Sequence, residues 1–327
     1  MVSKDLRPMS ERYELPAGTS PALRERFDRL SPGDQAKVLA RMAARNRGGE
    51  PARMVLTRIA DPAPGDDRGR PPLIVMPSMF GAVAEWRTFF QGLTVDRTIY
   101  GLELVSGASY WTDDPTMQEI AARCAEVLQR DLAGQRFHLI GHSFGGRLAY
   151  ELGQQLDAAG RPPASIVVAD TSATGLKRSL RWRDVRSMAA NAPGWLKNEL
   201  QVYGPGALPR RIRIRWRFRV HAQQGGADAI FDLSQFPEAY RRRPLDSHRA
   251  FKAYRPQPTN NRVVYLRSRV RSLIHSDRPD GGWGEFVPPP RLTVLAIPGD
   301  HGSLLYPRWR TAVASTIQQA LAQADAY

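Results

Sequence analysis

Five consecutive residues, Gly141-His142-Ser143-Phe144-Gly145, restrict this chain more than any other stretch. The run Phe137-His138-Leu139-Ile140 leads into them, and an amphipathic stretch from about Phe144 to Ala158 follows. The first reads as a strand and the second as a helix, so Ser143 stands on the turn between them. That turn has to be sharp. Glycines two residues to either side of the serine remove the Cβ atoms that would clash there. A serine held on such a strained turn presents its hydroxyl at the edge of a sheet, as a nucleophile must. A purely structural turn is the competing reading, and the strand–turn–helix order favours the nucleophile.

The surrounding pattern extends this beginning. From Pro71 onward, short apolar runs alternate with amphipathic stretches: Leu73–Met76, Thr98–Leu102, a helix Thr116–Leu132, then Ser165–Ala169, Val263–Leu266, Thr293–Ile297 and a closing helix from about Arg308 to Ala324. Strands alternating with helices predict an α/β architecture, a mostly parallel central sheet with helices on both faces. Between the strands at 165–169 and 263–266 the rhythm breaks. Residues 172–257 are rich in Arg, Trp and Phe and read as an inserted lid above the carboxyl edge of the sheet. Residues 1–70 read as an N-terminal linker with a helical extension, the helix opening at Leu30-Ser31-Pro32. The α/β region is then 71–327.

A serine hydroxyl is a weak nucleophile near neutral pH and needs a base, which itself needs an orienting acid. In chains built on this kind of turn the order is Ser, then Asp or Glu, then His. His301 follows the last apolar strand in Pro298-Gly299-Asp300-His301-Gly302, where a loop brings an imidazole back over the turn. His248 and His275 lie in Arg-rich stretches and read as solvated, and His142 is expected to point away from its neighbour Ser143. For the acid, Asp170 at the end of strand 165–169 is favoured over Asp277 and Asp280, because a strand end is rigid. Its competing role is a turn or cap residue. The backbone N–H of Phe144 and one N–H from the loop Pro77-Ser78-Met79-Phe80-Gly81, assigned to Met79, are expected to form an oxyanion hole.

These residues together resemble the type I thioesterase domains of nonribosomal peptide and polyketide synthases, which have the α/β-hydrolase fold. The resemblance rests on Pro72–Pro77 followed by Met79-Phe80-Gly81, on Tyr100-Gly101-Leu102, on Gly141–Gly146, on the early acid Asp170, and on Arg262–Tyr265, Gly282-Trp283 and Pro298–His301. It implies attack by Ser143 on an acyl chain delivered as a phosphopantetheine thioester, followed by hydrolysis or macrocyclisation. It further implies an acyl or peptidyl carrier domain as partner, in cis or in trans, and no other cofactor. Ser78-Met79 departs from the small residues that many relatives carry in that loop. No Asp-Ser-Leu-type carrier signature precedes the region.

Charge and cysteine content narrow the remaining classes. The chain of 327 residues carries a net charge of +15, which favours acidic partners. Neither zinc-finger spacing nor an aromatic RNA-binding strand accompanies the charge, so nucleic acid is not expected. One cysteine, Cys124, excludes an internal disulfide and a multi-cysteine metal site, and no metal is expected. No apolar run reaches bilayer length and the start is polar, so membrane insertion is not expected and the cytoplasm is the default compartment. The basic run 210–220 alternates strictly from Arg211, which suggests a strand, whereas the resemblance suggests a lid helix. Arg213, Arg215, Trp216 and Arg217, with Phe80, are candidates for contacting carrier or acyl chain; a solvated lid face is the plainer reading. A serine esterase acting on free small esters, and a silent hydrolase fold used as a binding module, are the alternatives to a thioesterase.

Overall fold

The computed structural model describes residues 52–62, 69–105, 110, 112, 114–174, 182–209, 212–213, 238–270 and 278–326. Strands β1 (Arg53–Ala60), β2 (Leu73–Val75), β3 (Ile99–Val105), β4 (His138–His142), β5 (Ser165–Ala169), β6 (Val263–Ser268) and β7 (Leu292–Ile297) form one sheet in the order β1-β3-β2-β4-β5-β6-β7. All neighbours are parallel except β1, which runs antiparallel to β3. The expected mostly parallel α/β-hydrolase sheet is therefore present.

The central strands are apolar on both faces because helices cover both. Along them, side chains alternate between two cores. Ile74, Leu139, Ile166, Val168 and Val263 join a core with helices α2 (Met117–Asp131) and α3 (Phe144–Ala158). Leu73, Val75, Ile140, Val167 and Val264 join the other, with α1 (Ala84–Phe90) and α6 (Arg310–Asp325). The spacing read for α2 holds: Ile120, Cys124, Val127 and Leu128 are buried, and Thr116 caps the helix in a reciprocal pair with Glu119. Truncating a side chain such as Leu128 to alanine would cost about 2–5 kcal/mol.

Two boundaries differ from the sequence reading. Strand β1 lies inside the stretch assigned to the N-terminal extension, 1–70, yet it is hydrogen-bonded into the sheet. The sheet begins before residue 71. As a half-exposed edge strand, β1 lacks the continuous apolar run that marks the inner strands. The lid interval is the second case. Between β5 and β6 the described residues form helix α4 (Trp182–Tyr203), a short 3₁₀ turn (Pro205–Ala207) and helix α5 (Glu238–Ala253). Ala250 of α5 and the following Tyr254 belong to the core beside α2 and α3, so the end of this interval is part of the body of the domain. The helix expected near residue 30 lies outside the described residues.

Strand order reverses between β2 and β4, the switch point at whose carboxyl edge open α/β sheets form their ligand crevice. At the opposite edge the sheet is closed by a polar chain. His138, at the start of β4, bonds Ser165 Oγ through Nδ1 (2.8 Å) and Asp325 Oδ1 through Nε2 (2.8 Å). The second Asp325 oxygen accepts from Arg97 (2.9 Å). His138, Ser165 and Arg97 are buried. Burial pushes the His138 imidazole down to about 4 despite its bond to Asp325, with the Arg97 charge adding to the effect.

Candidate active site

At the crevice, Ser143 sits between β4 and α3 with φ 56° and ψ −119°, a left-handed conformation that only an over-determined turn supports in a serine. The turn's tightness is visible at its glycines. A Cβ on Gly141 would fall 1.9 Å from the Gly145 carbonyl oxygen, and one on Gly145 would fall 2.9 Å from that of Pro77. No larger residue fits at either position without moving backbone.

The His301 loop is built by different means. Gly299 takes φ 83° after β7, and buried Asp300 bonds Ser303 in both directions: its N–H donates to Ser303 Oγ (3.0 Å), which donates to Asp300 Oδ1 (2.6 Å). His301 Nε2 consequently lies 3.3 Å from Ser143 Oγ. Its Nδ1 lies 3.2 Å from Asp170 Oδ2 and 2.9 Å from the Asp170 carbonyl oxygen. Both acceptors fix the proton on Nδ1 and leave Nε2 free to accept from the serine.

Asp170 is held from β6. Its N–H donates to Leu266 O (2.8 Å), and its Oδ1 accepts the N–H of Ser268 (3.0 Å). Like Ser143, it has a positive φ, 46°. Its side chain is 5% exposed against 32% for His301, so the acid is shielded while the base reaches the crevice. Burial alone would lower the His301 imidazole. The hydrogen bond and charge of Asp170 outweigh it, and the net shift is upward from the ordinary 6.5. Glu85, at the start of α1, is electrostatically coupled to His301: surrounding protein pushes its carboxyl up and the histidine's charge pulls it partly back.

The remaining candidates separate cleanly. Asp280 accepts the N–H groups of Gly282 (2.9 Å) and Gly284 (3.1 Å) and pairs with Arg278, so its carboxylate organises its own turn, whereas Asp170 is the acid bonded to His301. His248 is buried and pushed down to about 4 by that burial, which corrects its reading as a solvated residue. His275 and Asp277 lie outside the described residues. The His142 ring packs on His301, centroids 4.6 Å apart, a contact between residues far apart in sequence that no local pattern signals. Met79 stands in the loop after β2 and Phe144 is the first residue of α3. Among the described residues no chain acceptor takes either N–H.

Phe80 is exposed, 38%, on that same loop. Of the basic lid run, Ile212 and Arg213 are helical and exposed, which at those two positions decides against the strand reading. Arg215, Trp216 and Arg217 fall outside the described residues. Among the described residues there is no cluster of three or more metal-ligating side chains, and no helix is long and apolar enough to cross a membrane.

Sheet order, turn and crevice define an α/β-hydrolase with a serine at its sharpest turn. The thioesterase domain family model matches residues 71–321, and the chain belongs to that family. It is 24% identical over 262 residues to the non-reducing polyketide synthase rdc1 of Metacordyceps chlamydosporia, covering 70% of this chain and 12% of the synthase. Among solved structures, a four-domain nonribosomal peptide synthetase, holo-AB3403 bound to AMP and glycine, matches with TM-score 0.57 at 20% identity, over 86% of this chain and 21% of that one. The NocB thioesterase domain in covalent complex with a fluorophosphonate nocardicin G analogue matches with TM-score 0.53 at 17% identity, over 82% and 99%. The Vlm2 thioesterase domain matches with TM-score 0.51 at 17% identity, over 82% and 98%. These likenesses are likenesses of fold.

Proposed function

We propose that this domain releases an acyl chain, peptidyl or polyketide, from a phosphopantetheine thioester carried on an acyl or peptidyl carrier domain, in cis or in trans. The observation that carries the reading is the continuous chain Ser143–His301–Asp170 at the switch-point crevice. In the first step His301 Nε2 takes the Ser143 proton as Oγ attacks the thioester carbonyl carbon. The oxyanion is received by the N–H groups of Phe144 and Met79. Collapse breaks the C–S bond, and the pantetheine sulfur leaves as a thiol with the proton from His301. In the second step His301 deprotonates water, or a hydroxyl or amine of the acyl chain. Attack on the acyl-serine gives a free acid or a ring, and Ser143 recovers its proton.

Family membership and the relatives' settings in assembly-line synthases support a carrier-bound donor, and the basic net charge suits an acidic partner. The test is a panel of acyl-pantetheine thioesters, followed by free-thiol release and intact protein mass, with Ser143→Ala alongside. Thiol release with an acyl adduct, both absent in the variant, is expected. Product mass then separates hydrolysis from cyclisation. Turnover of oxygen esters alone would move the reading to an esterase, and inactivity on both to a binding module.

A further inference from the structure

Two residues of the site take a positive φ without being glycine, Ser143 just past β4 and Asp170 just past β5, and one hydroxyl lies between their peptides. Buried Thr171 places Oγ1 3.1 Å from the Ser143 carbonyl oxygen and 3.0 Å from that of Ala169. A hydroxyl has one proton, so the two carbonyls share it in a three-centre bond. The Ser143 carbonyl lies in one planar trans peptide with the Phe144 N–H, and the Ala169 carbonyl in one with the Asp170 N–H. In such a peptide the N–H points opposite to the C=O. Whatever fixes the Ser143 oxygen therefore fixes the direction of the Phe144 N–H.

The hydroxyl is itself held. The Thr171 carbonyl oxygen accepts the indole N–H of fully buried Trp283 (2.7 Å), Ser172 O accepts from Arg147 (3.1 Å), and the Ala173 N–H donates to Gly281 O (3.0 Å). Gly146 makes the space for it: a Cβ there would fall 2.6 Å from Thr171 Oγ1. The last residue of Gly141–Gly146 and the pair Gly282-Trp283 thus gain a place in the site. The Gly146 N–H also donates to Ser143 O (3.1 Å), but from the first turn of α3, so that bond moves with the turn. The threonine bond comes from the end of β5 and ties the same peptide to the sheet.

We propose that Thr171 is a positioning residue that aims the Phe144 N–H at the oxyanion through the carbonyl of Ser143, with Gly146 admitting its hydroxyl and Trp283 holding its backbone. This rests on the reading of Phe144 as an oxyanion donor in the function proposed above. Hydrogen bonds in series polarise one another, so a bond accepted by the Ser143 oxygen also strengthens the N–H at the other end of that peptide.

The test uses the full chain with Thr171→Val, Thr171→Ser and Gly146→Ala, an acyl-pantetheine thioester, and a fluorophosphonate whose phosphoryl oxygen enters the same hole. Valine keeps the shape and removes the hydroxyl, whereas alanine at 146 keeps the hydroxyl and displaces it. Thr171→Val should lose about tenfold in kcat, part of the roughly 10²–10³ lost when a donor is removed outright, with KM near wild type. Phosphonylation of Ser143 should slow by a similar factor, Thr171→Ser should restore most of the rate, and Gly146→Ala should repeat the loss. The acidic limb of kcat/KM should stay in place, because Asp170 and His301 keep their bonds. Wild-type kcat and labelling in Thr171→Val would overturn the proposal. So would a displaced limb, which assigns the effect to the acid, or a kcat loss that follows melting temperature and is not rescued by serine. A wild type that is labelled yet cleaves no thioester would sink the assigned acyl donor, while labelling rates still decide the positioning role.

Discussion

Two Ser–His–Asp chains run through the described residues, one at each edge of the sheet, and their differences show what turns such a chain into a nucleophilic site. At the carboxyl edge, Ser143 stands on a left-handed turn facing a crevice, and His301 receives it through Nε2. At the amino edge, Ser165 is the first residue of a strand, and His138 meets it through Nδ1 while Nε2 goes to Asp325. Residue types do not distinguish the two, and the amino-edge bonds, 2.8 Å each, are shorter than the 3.3 and 3.2 Å at the carboxyl edge. Exposure and electrostatics separate them. His301 has an acid that outweighs its desolvation, so its proton affinity rises. For His138 desolvation wins, helped by the nearby Arg97 charge, and its affinity falls to about 4. The first can take a proton near neutral pH and the second cannot. Buried among side chains, the second chain ties the last helix to the base of the sheet.

The largest effect that could break this contrast is removal of each serine. Ser143→Ala should lower kcat by about 10⁶, as loss of a nucleophile does in comparable enzymes. Ser165→Ala should leave kcat unchanged and cost about 1–3 kcal/mol of stability, the penalty of an unsatisfied buried polar group. Thioester turnover and chemical denaturation on the same two variants decide it. Adduct formation at Ser165 would refute the contrast.

Next in size is removal of each acid's charge. Asp170→Asn should reduce kcat by about 10²–10⁴, with KM little changed, since a neutral partner no longer stabilises the imidazolium. Asp325→Asn should change melting temperature and spare kcat. A matching kcat loss in Asp325→Asn would show that the amino edge feeds the site.

The smallest effect is in pH dependence, where the two histidines have opposite signs. The folded-state value of His301 is raised, so its stabilising contribution is complete below 6.5, the unfolded value, and is lost as pH rises through the folded value. Activity needs the neutral base, so kcat/KM should climb along an acidic limb centred above the ordinary 6.5. The folded-state value of His138 is depressed. Between about 4 and 6.5 the unfolded chain binds the extra proton, and stability falls as pH drops through that window. Urea titrations from pH 4 to 8 should show the acid-side slope flatten in His138→Gln. The kcat/KM profile of that variant should keep its limb.

How much of this was legible depended on how local the cause was. The turn at Ser143 could be read because glycine spacing, strand and helix are all neighbours in sequence. His301 could be located because its loop follows an apolar strand and opens with Pro-Gly. Strand β1 was missed, since an edge strand needs only intermittent burial and here sits between Pro- and Gly-rich stretches. The seven-residue α1 is too short for periodicity to register. The Thr171–Ser143 bond, the His142–His301 packing and the burial of His248 come from residues far apart in the chain, and composition pointed the wrong way for His248. The amino-edge chain was equally silent: its three members occupy three separate elements with no motif among them.

One detail of Asp170 has a bearing on how this site tolerates error. Its carbonyl oxygen is nearer to His301 Nδ1 than its carboxylate is, 2.9 against 3.2 Å. Tautomer choice is thus insured twice by a single residue, once by side chain and once by main chain. A substitution at 170 that keeps the backbone in its left-handed bend strips charge from the site without scrambling the imidazole's orientation. Such a variant degrades by steps instead of failing at once, and asparagine or glycine, the residues most at ease in that bend, are the natural routes by which the position could drift.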